Sequence, residues 1–294
     1  MNSFLDDPAD AGSASGPSAA DSGSVITAPG TPSPPADVFI PEDLRISWSW
    51  PHFIIFVLFS FGSLFIVQLV FITYLSSFRG LPMKEIERLL TTKAQFAIAI
   101  QIAWFALVLL FLYVTLSLLR DAPFWSTVGW RRLPGDASSL RSRAWPYFFS
   151  GCGLAAGVAA VSAGVRPKGK MPIEEFFKDP RGTMLLMFLA VLVAPLVEET
   201  LFRGYLYPLF ARKLGVPLGI FLTGLLFGIM HGSQLGWTWG IVIPLIVVGL
   251  VLTYVRARTG TVFASYLLHL GYNSLIALAV ALATKGFQQA PPIH

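Results

Sequence analysis

Long apolar runs, broken by short polar connections, set the pattern of this chain. Predominantly apolar stretches lie near 53–77, 94–119, 145–165, 183–210, 216–232, 237–255 and 262–283. A bilayer crossing takes roughly 20 such residues, so the pattern predicts about seven membrane helices. A further element near 171–182, MPIEEFFKDPRG, is too charged to span and is expected at the interface. The fold class expected is therefore all-α, a polytopic transmembrane bundle of about 7–8 helices.

The first 45 or so residues have a different character. They are rich in Ala, Ser, Gly, Pro and Asp and show no periodic apolar face. Such a segment buries too little surface to offset its ordering entropy, so a disordered tail is expected over about 1–45. It lacks the basic start and apolar core of a secretory signal. The rest divides into N-terminal membrane helices near 46–170 and a C-terminal membrane core near 171–294. No internal repeat is visible.

Composition agrees with the pattern. Of 294 residues, 54% are hydrophobic and only 13% charged, about half the charge of an ordinary soluble domain. Mean hydropathy is +0.66. The net charge of +5 lies in the connections, and no basic cluster resembles a nucleic-acid site. Membrane lipid is an expected partner and nucleic acid is not. The lone Cys152 has no cysteine to pair with and reads as a small buried apolar residue. Trp48, Trp50, Trp104, Trp145, Trp237 and Trp239 include several at run ends, as headgroup-level anchors would be. Gly153 with Gly157, and Gly224 with Gly228, have the GxxxG spacing that lets helices approach closely. Among the last four spans, Arg212, Lys213, Arg256 and Arg258 share one side, which the positive-inside rule puts in the cytoplasm.

Candidate chemistry comes from the few polar residues inside the apolar runs. Of 16 acidic residues, only Glu198 and Glu199 fall within a predicted span. An ionised carboxylate in hydrocarbon costs several kcal/mol and faces a bundle interior, where it marks function. Adjacent helical residues point about 100° apart, so the two glutamates are not expected to serve one spot. Glu199 and Arg203 are four apart and can pair, which gives Glu199 a positioning role and leaves Glu198 free. Pro195 should bend the helix just before Glu198.

His231 and His269 also lie in predicted spans, with Asn273 one turn beyond His269 on the same face. His52 and His294, at a span boundary and the chain end, look incidental. Counted from the shared loop side, Glu198, His231 and Asn273 lie roughly 20 Å deep and His269 roughly 14 Å. Convergence on one point is thus geometrically allowed. A carboxylate, two imidazoles and an amide suit hydrolysis by an activated water beside oxyanion donors. Glu198, His231 and His269 equally suit a zinc ion that acidifies its bound water. There is no HExxH. A proton-coupled transporter using the same groups as a relay, or a silent scaffold, are the competing classes.

EETLFR (Glu198 to Arg203), FGIMH (Phe227 to His231) and HLGYN (His269 to Asn273) match the motifs EExxxR, FxxxH and HxxxN/D. With them the chain resembles the CPBP or Abi family of intramembrane proteases, which includes the Ras-converting CAAX prenyl protease. The resemblance covers about 180–283. It implies a multi-pass protein of the plasma or inner membrane, with a site inside the membrane and open to the cytoplasm. It implies catalytic roles for Glu198, His231, His269 and Asn273, with Glu199 and Arg203 in support. Glu198 and His231 would activate water, and His269 and Asn273 would form the oxyanion hole. A divalent metal stays open under the resemblance, as do non-proteolytic immunity-type relatives. The substrate implied is a membrane-associated protein or peptide: a lipidated C-terminus, a bacteriocin-like peptide or another membrane protein.

Overall fold

A computed structural model describes residues 42–133, 140–165 and 171–286. The expected tail up to 41, and His294, lie outside the described residues. Glu42–Leu44 form a 3-10 turn, and Asp43 pairs with the buried Arg256 at 2.9 Å. The expected tail boundary is therefore a few residues too late, because these side chains are tied to the bundle.

The described residues are helical, without strands. In order they form α1 (Trp50–Thr73), α2 (Met83–Thr92), α3 (Ala94–Leu116), the single turn α4 (Phe124–Thr127) and α5 (Leu140–Ser162). Then follow α6 (Pro180–Phe188), α7 (Ala194–Glu199), α8 (Tyr207–Leu214), α9 (Val216–Met230), α10 (Trp239–Thr259) and α11 (Val262–Ala283). Six helical runs are long and apolar enough to cross a membrane: Trp50–Phe78, Ala94–Arg120, Arg143–Ser162, Pro180–Leu214, Trp239–Thr259 and Val262–Ala283. α9 is apolar but shorter, with 15 residues, about 22 Å of helix against a hydrocarbon core of about 30 Å. The fifth expected span, 216–232, is therefore a short helix that ends within the depth of the bundle. Pro172–Lys178 form a 3-10 helix, in keeping with a non-spanning element there. α2, between the first two spans, is an amphipathic helix that buries Ile86 and pairs Arg88 with Glu85 on its outer face. Such a helix suits the interface plane.

The described residues form one compact unit. Within it α5 packs along α11, α9 along α10, and α1 along α3. Two tryptophans expected at the headgroup level turn inward. Trp48 is buried, stacks on Tyr205 and donates to the Tyr205 carbonyl. Trp104 donates to the Ser60 carbonyl from the middle of α3. Trp50, Trp145, Trp237 and Trp239 are exposed near helix ends, where anchors belong. His52 is no bystander: its nitrogens reach Tyr205 Oη at 2.7 Å and Thr115 Oγ1 at 2.9 Å, tying α1 to α3 and to the run that carries the glutamates. Cys152 is only half-buried and points its thiol at the Gly271 carbonyl.

The glycine spacing was half right. A Cβ at Gly224 or Gly228 would run into the α10 backbone at Leu250 or Ile246, so this pair does set a close helix crossing. Gly153 and Gly157 face open space. The close approach of α5 to α11 is made instead by Gly151 against the Leu268 carbonyl and Gly271 against the Phe148 carbonyl. Gly271→Ala should therefore cost about 1–3 kcal/mol of stability through overpacking, while Gly153→Ala should leave the melting temperature in detergent unchanged. Equal melting temperatures for the two variants would rule out this packing assignment.

Candidate active site

The run from Pro180 to Leu214 carries the glutamates, and it is not a plain α-helix. Two π-helical segments interrupt it, Leu189–Val193 and Thr200–Leu206. Each widens the helix by one residue and changes which faces the following side chains take. The expected disturbance at Pro195 is present, as the π turn just ahead of it. All seven residues of the second segment are buried, so Arg203 has no route to water.

Arg203 is paid for by partners on three sides. Its Nη1 donates to Glu199 Oε1 at 3.0 Å, and its Nη2 donates to the Gly249 carbonyl at 2.9 Å. The guanidinium also lies 4.5 Å from the centre of the Phe227 ring, an attraction strengthened by desolvation. The side chains of Arg203 and Glu199 are both completely buried, so the expected pair exists and is internal.

Glu199 has a second task that the spacing did not reveal. Its Oε1 also accepts from His269 Nδ1 at 3.0 Å. On the other edge of the same imidazole, His269 Nε2 lies 3.9 Å from Glu198 Oε2. The two glutamates thus bracket one ring, against the expectation that neighbours on a helix cannot serve one spot. An imidazole has nitrogens on opposite edges, so side chains that diverge can each reach one. A carboxylate on Nδ1–H fixes the tautomer and stabilises positive charge that arrives at Nε2.

His231 follows the last residue of α9, and because that helix is short its side chain ends up inside the bundle. Its Nδ1 is 2.7 Å from the Phe227 carbonyl. A carbonyl only accepts, so Nδ1 carries a proton, and in the neutral tautomer of this ring the lone pair is on Nε2. Asn273 lies one turn beyond His269 on α11 and donates from Nδ2 to the Ala190 carbonyl at 2.7 Å.

Glu198, His231, His269 and Asn273 all line one cavity of about 460 Å³. Glu198 keeps 17% of its side chain exposed there while its neighbour Glu199 has none. Most of the wall is apolar, with Phe105, Phe176, Phe177, Leu186, Leu245 and Val248 among the lining residues. Gln101 of α3 and Gln234 of the loop after His231 are further polar groups that the sequence reading passed over. Gln101 carries no motif and sits in a run that reads simply as a span. The site draws on α3 and α5 as well as on residues beyond 171.

The lining residues outside the spans come from Pro172–Lys178 and the loop that starts at His231. Both lie on the side opposite the loops with Arg212, Lys213, Arg256 and Arg258.

A zinc ion would draw on Glu198, His231 and His269. Each imidazole has one nitrogen held by a carboxylate or carbonyl, which is the outer support that metal-binding histidines use. Among the described residues, however, no group of three or more His, Cys, Asp or Glu side chains is arranged to hold a metal ion.

Residues 180–275 match the sequence model of Rce1-like type II CAAX prenyl endopeptidases. The UPF0177 protein YbdI of Lactococcus lactis subsp. lactis (strain IL1403) is 32% identical over 96 residues, which is 33% of this chain and 49% of that protein. The chain thus spans about half the length of this curated relative. No solved structure matches.

Proposed function

We propose that this chain, an integral membrane protein whose residues 180–275 form an Rce1-like type II CAAX prenyl endopeptidase domain, hydrolyses a peptide bond within the membrane. The observation that carries the reading is one cavity lined by Glu198, His231, His269 and Asn273, with His269 locked by a buried carboxylate.

In this reading Glu198 and His231 Nε2 accept hydrogen bonds from a water molecule. As the water oxygen attacks the scissile carbonyl carbon, Glu198 takes its proton. The developing oxyanion accepts from Asn273 Nδ2–H and from His269 Nε2–H, the positive ring being balanced by Glu199. Collapse of the tetrahedral species breaks the C–N bond, and Glu198 returns the proton to the departing amine. The products are a new C-terminal carboxylate and a free amine. The 3.9 Å approach of His269 to Glu198 favours a second arrangement, in which those two residues share the water proton and the oxyanion accepts from Asn273 Nδ2–H.

The substrate class we infer is a C-terminal or membrane-associated peptide bearing an apolar group, a prenylated CAAX-type sequence in particular. The apolar walls around Phe105, Phe176 and Leu186 suit such a chain, and the polar groups sit where a peptide bond would lie beside it. The test is cleavage of prenylated and unprenylated peptides by the purified protein in detergent, with and without a zinc chelator. Prenylated peptide should be cut faster, at a rate the chelator leaves unchanged. No cleavage of either peptide would reject the hydrolytic reading, and chelator-sensitive cleavage would reject the metal-free mechanism.

A further inference from the structure

Asn273 is held by a carbonyl that the facing helix leaves free. In an α-helix the Ala190 carbonyl would accept from the N–H of Ala194, and in a π turn from residue 195. The Ala194 N–H instead reaches back to the Leu189 carbonyl. Residue 195 is proline, which has no N–H. The missing donor is supplied by Asn273, 83 positions away along the chain, at 2.7 Å. A proline that is merely tolerated in a membrane helix needs no such partner.

The contact has a directional consequence. A carboxamide offers two N–H donors from one end and an acceptor oxygen from the other. With one N–H committed to Ala190, the nitrogen end is fixed and its second N–H stays available as a donor. An amide free to flip would present its oxygen to an oxyanion half of the time, and that contact is repulsive.

We propose that Pro195 is a positioning residue. By withholding a backbone donor it reserves the Ala190 carbonyl for Asn273, and so holds the Asn273 amide ready to stabilise the oxyanion. The role in hydrolysis rests on the function proposed above; the hydrogen-bond arrangement does not.

The experiment is a double-mutant cycle on the full chain with Pro195→Ala, Asn273→Ala and both together, read by thermal melting and by peptide cleavage. In the parent, Asn273→Ala strips Ala190 of its donor and should lower the melting temperature by roughly 2–4 °C. In the Pro195→Ala background the restored N–H serves that carbonyl, so the same substitution should shift melting by less than about half as much. In cleavage, Pro195→Ala should lower kcat about tenfold at nearly constant KM, less than the roughly hundredfold expected on losing an oxyanion donor. The double variant should be no slower than Asn273→Ala alone. Additive effects on melting would overturn the hydrogen-bond assignment; should Pro195→Ala fail to fold through loss of its buried ring carbons, the same cycle with Pro195→Val, which supplies the N–H and keeps the bulk, decides it by the same criterion. Parental kcat in Pro195→Ala, or additive losses of kcat, would overturn the positioning role. Should the parent cleave nothing, the melting cycle still decides the arrangement, and only the hydrolytic reading falls.

Discussion

Glu198→Gln should lower kcat/KM for peptide cleavage by about 10³-fold, within the range for loss of a general base, and leave the melting temperature close to that of the parent. The two halves of this result have separate causes. Glutamine keeps the shape of the side chain and an acceptor oxygen, so the lining of the cavity survives. It cannot take a proton from water, so the nucleophile is not generated. Glu198 is the partly exposed member of the pair and makes no hydrogen bond to the buried arginine, whose carboxylate partner is Glu199. Cleavage kinetics and a melting curve on the same preparation check both halves. Equal cleavage by parent and variant would remove Glu198 as the base.

Arg203→Ala should do the opposite and act on folding first. It leaves the Glu199 carboxylate fully buried without its guanidinium partner, removes the donor to the Gly249 carbonyl, and empties the space over Phe227. Removing one member of a buried pair costs about 3–5 kcal/mol, a large share of the stability of a single domain. The expected outcome is a markedly lower yield of folded protein and a fall in melting temperature far beyond that of Glu198→Gln. Arg203→Lys should recover only part of it, because an ammonium cannot match the fork that meets Glu199 and Gly249 together. A chain with Arg203→Ala that melts like the parent would show that the buried pair adds nothing to stability.

Much of this was legible in the sequence, and for a physical reason. Hydrocarbon accepts so few polar groups that Glu198, Glu199, Arg203, His231, His269 and Asn273 stand out from the runs around them, and six of the seven expected spans fall close to helices long enough to cross. What stayed hidden depends on relations between helices or on local winding. The closeness of α5 and α11 is set by Gly151 and Gly271, which form no spaced motif within one helix. His52 and Trp48 sit at a run boundary where an exposed role is the usual one, and only the tertiary contact with Tyr205 turns them inward. The bracketing of His269 by both glutamates could not be read from a helical wheel, because it depends on which edge of the ring each carboxylate reaches. Pro195 signalled a disturbed helix, but the carbonyl it frees could be found only where the backbone was traced.

The central claim is that the polar cavity generates a hydrolytic nucleophile from water, and it is tested most directly by cleavage in heavy-oxygen water. Purified protein in proteoliposomes would be given a prenylated peptide and stopped within the first turnovers, and the released fragments weighed by mass spectrometry. A single labelled oxygen in the new C-terminal carboxylate is the predicted result. Cleavage that yields an unlabelled carboxylate, or no cleavage by folded protein, would contradict the account.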